Sequence, residues 1–251
     1  MSYSHAFLIG GMKCGTWSMF KLLRKHGQIA WCKPKEAKFF TKTARADWGD
    51  YHDHFEIKEN TRVLLDGTTQ YSKHPDTPDI AYKLSQFDKS ARFIYLMRDP
   101  IKRIESQLAH RTARQELKPG AGPRAKELRR AVNYTRYFTQ LGIYANIFGL
   151  EQIYPQTFEN FIANQEKVAR ECFRFLGVRQ PKQVQALPPQ NVRKPDNGAD
   201  KLALTPEEID SIRNELHWEV RCLETAFGID TSKWTNFWGT SVSTSKQGSP
   251  T

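Results

Sequence analysis

His5-Ala6-Phe7-Leu8-Ile9-Gly10-Gly11-Met12-Lys13-Cys14-Gly15-Thr16 is the stretch on which the reading of this chain turns. Its first five residues form a short apolar run that meets a glycine pair, as a buried strand running into a turn does. Beyond Gly15 the apolar positions Phe20, Leu22 and Leu23 repeat with helical spacing as far as a stop at Gly27. The order is therefore strand, glycine loop, helix. Glycines there let the backbone approach an anion, and the helix N-terminus offers N–H groups to it, so the segment reads as a phosphate cradle. A nucleoside-triphosphatase loop ends in Gly-Lys-Ser/Thr, whose hydroxyl holds magnesium. Here Lys13 precedes the final glycine, Gly15, by two residues.

Outward from this unit, short apolar strands are expected at 62–65, 91–97 and 152–157. Helical patterns lie between and after them, near 80–87, 100–114, 131–148 and 165–176. Strands alternating with helices predict an α/β fold: a single domain with a central parallel β-sheet flanked by helices, its ligands at the carboxyl ends of the strands. Leu117-Lys-Pro-Gly-Ala-Gly-Pro123 breaks any helix and is expected as a mobile surface loop, placed so that it could act as a lid. Thr205-Pro206-Glu207-Glu208 carries a cap, a first-turn proline and a capping-box glutamate, predicting a long amphipathic helix to about Ala226. The domain is expected over 1–238, with a Ser/Thr/Gly-rich disordered tail over 239–251.

With 251 residues, 39% of them hydrophobic and 26% charged, the chain can bury one sizeable core. No apolar run approaches the roughly 20 residues of a spanning helix, and Met1 to His5 lacks a secretory pattern, so a cytoplasmic protein is expected. Cys14, Cys32, Cys172 and Cys222 form no CxxC pair, which argues against both a disulfide framework and a zinc site. The formal charge of +11 implies a polyanionic partner: a nucleic acid, an anionic membrane or a small ligand with several phosphates. Charge alone does not choose among them.

With its lysine in mid-loop, Lys13-Cys14-Gly15-Thr16-Trp17 resembles the 5′-phosphosulfate loop, Lys-x-Gly-Thr-Thr, of sulfotransferases that use 3′-phosphoadenosine 5′-phosphosulfate (PAPS). Trp17 stands where that family has its second threonine, and Ser18 is the nearest hydroxyl that could replace it. After the strand Phe93 to Met97, Arg98 is followed eight positions later by Ser106, similar to the family's 3′-phosphate signature. A guanidinium fork and a hydroxyl converging on one dianion is the physical sense of that spacing. The resemblance implies a P-loop-like fold, PAPS as donor with no metal, and donor contacts from Lys13, Cys14, Gly15, Thr16, Trp17, Ser18, Arg98 and Ser106.

Further segments carry the same resemblance. Lys33-Pro34-Lys35-Glu36-Ala37-Lys38-Phe39-Phe40 is similar to the Lys-Glu-Pro-x-Phe-Phe segment of heparan sulfate sulfotransferases and bacterial relatives, which implies Glu36 as the base and Lys35 and Phe40 beside the acceptor. Asp66-Gly67-Thr68-Thr69-Gln70-Tyr71 resembles the family's Glu-Lys-Ser/Thr-Pro-x-Tyr segment, assigning Asp66, Thr68 and Tyr71 to the acceptor side. Gly67 replaces a lysine that works near the sulfate in the heparan enzymes, which speaks against a heparan-like acceptor. Phe158 either borders the adenine or is a core aromatic. Arg193 and Lys194 either close over the 3′-phosphate or are solvated loop charges. His110, four residues after Ser106, either touches the acceptor or packs. His52-Asp53-His54 could present two imidazoles on one side of an extended strand, but nothing supplies further metal ligands.

The implied reaction is in-line transfer of a sulfuryl group to a hydroxyl or amine of a small-molecule or glycan acceptor, Glu36 taking the proton and Lys13 countering charge on the leaving phosphate oxygen. Neither nucleic acid nor membrane is expected as a partner, and the oligomeric state is left open. The rivals are a nucleotide kinase or triphosphatase, which requires magnesium and ATP, and a non-catalytic basic nucleic-acid-binding module.

Overall fold

A computed structural model describes residues 3–42, 45–117, 120–188 and 203–239. The elements run β1 (Ser4–Gly10), α1 (Thr16–Leu23), β2 (Ile29–Trp31), α2 (Phe39–Lys42), a 3₁₀ segment (Arg45–His54), β3 (Val63–Asp66) and a 3₁₀ turn (Thr69–Ser72). After them come α3 (Ile80–Phe87), β4 (Arg92–Met97), α4 (Pro100–Ala113), α5 (Ala121–Tyr134), α6 (Tyr137–Phe148) and β5 (Ile153–Thr157). The chain continues through α7 (Phe158–Ala163), α8 (Gln165–Leu176), α9 (Pro206–Phe227) and α10 (Thr235–Trp238).

The five strands pair in the order β2-β3-β1-β4-β5, every pair parallel. Helices cover both faces, which is why β1, β3 and β4 are apolar almost without alternation and buried along nearly their whole length. From β1 the chain crosses toward β2, and from β4 it crosses the other way toward β5. Neighbouring strands whose connections leave in opposite directions open a crevice at their carboxyl ends, and β1 and β4 are that pair. The glycine loop follows one and Arg98 the other. Phe7 of β1 packs with the rings of Phe40, Tyr51 and Phe87 in one interlocked cluster.

Three expectations are corrected. The helix expected over 131–148 is two helices, because buried Arg103 donates to the Ala131 carbonyl and the Thr135 hydroxyl, each at 2.6 Å. Tyr137 N–H then turns back to Thr135 O at 2.7 Å and starts a new helix. The break expected at 117–123 gives way to α5 from Ala121, since Pro123 falls in the first turn, where an amide has no helical acceptor to lose. Residues 118 and 119 lie outside the described set. His52 and His54 belong to a 3₁₀ segment instead of an extended strand. His52 Nε2 stands 3.1 Å from His5 Nε2, and His5 Nδ1 stands 2.7 Å from Asp88. The edge strand β2 was not anticipated; three residues are too few for a periodic pattern. Arg193, Lys194 and the tail beyond Gly239 lie outside the described residues.

Candidate active site

The loop after β1 is tied down from both sides. Gly10 N–H donates to Ser72 Oγ at 2.9 Å, and that hydroxyl donates back to Gly10 O at 3.0 Å. Lys13 has φ +74°, a left-handed conformation that costs a non-glycine residue about 1 kcal/mol or more. Gly15 follows at φ +83°, where an added Cβ would stand 2.5 Å from the Phe158 ring. Only glycine admits both the dihedral and that contact. Gly15 caps α1 with no side-chain hydrogen bond, and the first turn holds no acidic residue. The helix N-terminus therefore faces the cleft with its positive dipole end uncompensated by carboxylates.

Cys14 points the other way. Its thiol is fully buried against the Tyr137 hydroxyl at 3.7 Å, burial pushes its pKa up to about 11, and its N–H donates to Gly11 O at 3.1 Å. It shapes the loop and does not line the cleft.

Arg98 leaves β4 and donates to Lys13 O at 3.3 Å, while its guanidinium lies 4.9 Å from the centre of the Phe158 ring. The Tyr137 hydroxyl holds its backbone, accepting from Arg98 N–H at 3.3 Å and donating to Arg98 O at 2.8 Å. The next residue, Asp99, caps α4 by accepting from the Ile101 and Lys102 amides, and its other oxygen accepts from the Asn236 and Phe237 amides. One buried carboxylate thus fixes both the helix that carries Ser106 and His110 and the C-terminal segment against it. Burial and the nearby Lys13 cation lower the pKa of His110, which leaves the imidazole neutral at pH 7.

Glu36 lies on the opposite wall. Thr69 Oγ1 stands 3.3 Å from each of its carboxylate oxygens, and Lys35 Nζ stands 3.4 Å from one of them. The Lys35 side chain is 9% exposed, donates to Gly67 O at 2.8 Å, and its stem fills the space where a side chain at position 67 would emerge, 2.9 Å from an added Cβ. Burial pulls the Lys35 ammonium below its usual range and the Glu36 carboxylate opposes that shift. Lys73, half-buried over the Tyr134 ring, is pulled down to about 8 by burial, Glu36 again opposing.

Met12, Lys13, Gly15, Thr16, Trp17, Ser18, Lys35, Glu36, Thr69, Arg98, Ser106, His110 and Phe158 thus share one cleft of about 660 Å³. Asp66, Thr68, Tyr71 and Phe40 do not reach it. Buried Asp66 accepts from Thr68 N–H (2.9 Å), Thr68 Oγ1 (2.6 Å), Tyr51 OH (3.2 Å) and Tyr71 OH (3.3 Å). Tyr71 OH and Thr68 Oγ1 in turn accept from the Phe40 and Lys38 amides, both at 3.3 Å. The network clamps segment 35–40 onto segment 66–71 and so holds Glu36 beside Thr69. Thr69 escaped assignment from sequence because two adjacent threonines look alike; the 3₁₀ turn that starts there decides which one faces the cleft. Lys73 carried no sequence signal. Among the described residues no group of three or more His, Cys, Asp or Glu side chains is placed to hold a metal ion.

The cleft at the β1–β4 crevice brings together a lysine-bearing glycine loop, an arginine and serine across from it and a carboxylate on the far wall, an arrangement suited to an anionic nucleotide. Residues 3–194 match the family described as Sulfotransferase domain, and the chain belongs to it. It is 36% identical over 103 residues to a membrane-associated sulfotransferase, kil1, of Dictyostelium discoideum; that match covers 40% of this chain and only 21% of the relative. A sulfotransferase of Alicyclobacillus acidocaldarius superposes with TM-score 0.74 at 22% identity, covering 93% of this chain and 99% of that one. Mouse sulfotransferase SULT7A1, solved in complex with PAP, superposes with TM-score 0.55 at 14% identity, covering 90% and 89%. These likenesses agree on the parallel α/β fold. Among the described residues no helix is long and apolar enough to cross a membrane.

Proposed function

We propose that this protein transfers a sulfuryl group from PAPS to a hydroxyl or amine of a small-molecule or glycan acceptor, with Glu36 as base. The observation that carries the reading is the convergence of Lys13, Arg98 with Ser106, and Glu36 on a single cleft. The residues fit the donor. Its 5′-phosphosulfate suits the Lys13 loop and the α1 N-terminus, its 3′-phosphate suits Arg98 and Ser106, and Phe158 supplies an aromatic face for the adenine. The cradle at Gly15 has no room for a side chain.

In the reaction the acceptor oxygen or nitrogen forms a bond to sulfur while the bond from sulfur to the phosphate oxygen breaks. Glu36 accepts the acceptor's proton, held in place by Thr69 and Lys35. Lys13 and the helix N-terminus stabilise the negative charge that develops on the departing phosphate. Lys35 and neutral His110 flank the acceptor's path. The domain over 1–238 and a cytoplasmic site of action belong to the same proposal; all four cysteines are unbridged, as suits a reducing compartment.

Calorimetric titration with 3′-phosphoadenosine 5′-phosphate, against ATP and without magnesium, tests the donor site. Micromolar binding of the former alone is expected; preference for ATP would return the loop to a kinase reading. Glu36→Gln is expected to lower turnover about 10²–10⁴-fold while leaving nucleotide affinity within about twofold. Near-wild-type turnover in that variant removes Glu36 from the role of base.

A further inference from the structure

Arg103 lies on α4 less than one turn before Ser106, and its side chain runs into the core. Among the described residues it is the one cation with no exposed surface, and the reaction described above gives it no part. Its fork donates through Nη1 to Ala131 O and Thr135 Oγ1 and through Nη2 to Gln107 Oε1, all of them neutral groups. Nε makes no hydrogen bond. The carboxylate of this network, Glu127, is reached only through Gln107, whose amide donates to it at 2.6 Å. Glu127 is also shared with two other arginines, standing 3.4 Å from Arg111 and 3.6 Å from Arg130.

The guanidinium sits directly behind the glycine loop. A Cβ added at Gly11 would stand 3.3 Å from Arg103 Nε, 3.3 Å from Tyr137 Cε1 and 2.7 Å from Cys14 Sγ. Tyr137, in contact at the same point, carries the hydroxyl that holds Arg98 by both its N–H and its carbonyl. Neither Arg103 nor Tyr137 lines the cleft, so the charge acts from the far side of the loop backbone. Hydrogen bonding alone does not account for it, because a neutral amide could donate to the Ala131 carbonyl. Burying a charge whose direct partners are neutral costs stability, unless an opposite charge answers it. Through the low-dielectric interior a fixed cation is felt farther than through water, and since packing sets it in place beforehand, no reorganisation is needed when the anion arrives.

Resting on the sulfuryl-transfer reading, we propose that Arg103 is a positioning residue for the donor: its buried charge, set behind Gly11 and Tyr137, draws the phosphates of PAPS onto the other side of the loop, and the bound nucleotide answers that charge. In turnover the same field favours the negative charge left on the departing phosphate, so Arg103 assists the breaking bond without touching it.

The test separates charge from hydrogen bonding in the full chain. Arg103→Lys keeps the charge and loses the fork; Arg103→Gln loses the charge and keeps a donor. In calorimetry the lysine variant is expected to bind PAP within about threefold of wild type and the glutamine variant at least about tenfold more weakly. The glutamine variant should lose less affinity for 5′-AMP, which has one phosphate, because a field acts in proportion to ligand charge whereas a deformed loop weakens both ligands alike. Without nucleotide, Arg103→Gln should melt no lower than Arg103→Lys, yet PAP should raise its Tm less. The double variant Gln107→Glu/Glu127→Gln preserves net charge and the fork's hydrogen bonds but moves the carboxylate onto the guanidinium, and it should weaken PAP binding about fivefold or more. Equal losses in the lysine and glutamine variants, equal losses of PAP and 5′-AMP, or unchanged PAP affinity in the double variant would overturn the proposal. If the Arg103 variants fail to fold, the double variant decides. Failure of the wild-type chain to bind PAP would strike the sulfuryl-transfer reading instead, which keeps the two failures apart.

Discussion

Replacing Thr69 by valine removes one hydroxyl, keeps the shape of the side chain and isolates what positions the base. The Thr69 hydroxyl lies 3.3 Å from both oxygens of Glu36, and its single proton serves one of them at a time. A hydrogen bond to a charged acceptor contributes about 1.5–3 kcal/mol, and this long, shared one belongs at the lower end. About 1.5 kcal/mol corresponds to roughly a tenfold change in rate. Thr69 is 4% exposed, so valine fills the same volume without admitting water, and Lys35 still holds one carboxylate oxygen. Initial-rate assays with PAPS should show kcat about tenfold lower for Thr69→Val and within about threefold of wild type for Thr69→Ser, with PAP affinity unchanged in both. The reasoning is refuted if Thr69→Val matches wild type, or if it falls as far as Glu36→Gln.

Three further outcomes follow from the geometry. Gly15→Ala forces a Cβ to within 2.5 Å of Phe158 at a positive φ, so PAP affinity measured by calorimetry should drop at least about tenfold in a protein that still folds. Arg98→Ala should weaken PAP binding by about 2 kcal/mol, roughly 30-fold, and an unchanged Kd would remove Arg98 from the 3′-phosphate site. Burial raises the Asp66 carboxyl from 3.8 to about 6, so the native state holds that proton more tightly than the unfolded chain does. Its contribution favours the fold at low pH and is lost, by about 3 kcal/mol in all, as pH rises from below 4 through 6. Denaturation of Asp66→Asn and wild type across that range should show a stability difference that changes by up to this amount; a gap that stays constant with pH would contradict the assignment.

The fold class was legible because strands and helices declare themselves through local periodicity. The apolar runs of β1, β3 and β4 and the caps at Asp99 and Thr205 depend on near neighbours in the chain, and Thr205 with Glu208 forms the capping box that their spacing implied. The glycine loop and the spacing of Arg98 and Ser106 were legible for the same reason: each is a strand end followed by a helix start, and a phosphate-sized ligand needs nothing more distant to recognise it. What sequence could not show was which member of a motif faces the ligand. Cys14 sits inside the glycine loop, yet packs its thiol on Tyr137, 123 residues away. Asp66, Thr68 and Tyr71 carry the acceptor-side pattern, yet turn inward to hold one another, leaving Thr69 to meet Glu36. The break between α5 and α6 depends on Arg103 arriving from another helix. Likewise Trp31 meets Phe20 and Arg24 only because α1 and the edge strand lie side by side. Composition and periodicity report on contacts a few residues apart, whereas the direction of a side chain at a strand end or turn is set by what packs behind it, and those partners are brought there by the tertiary fold.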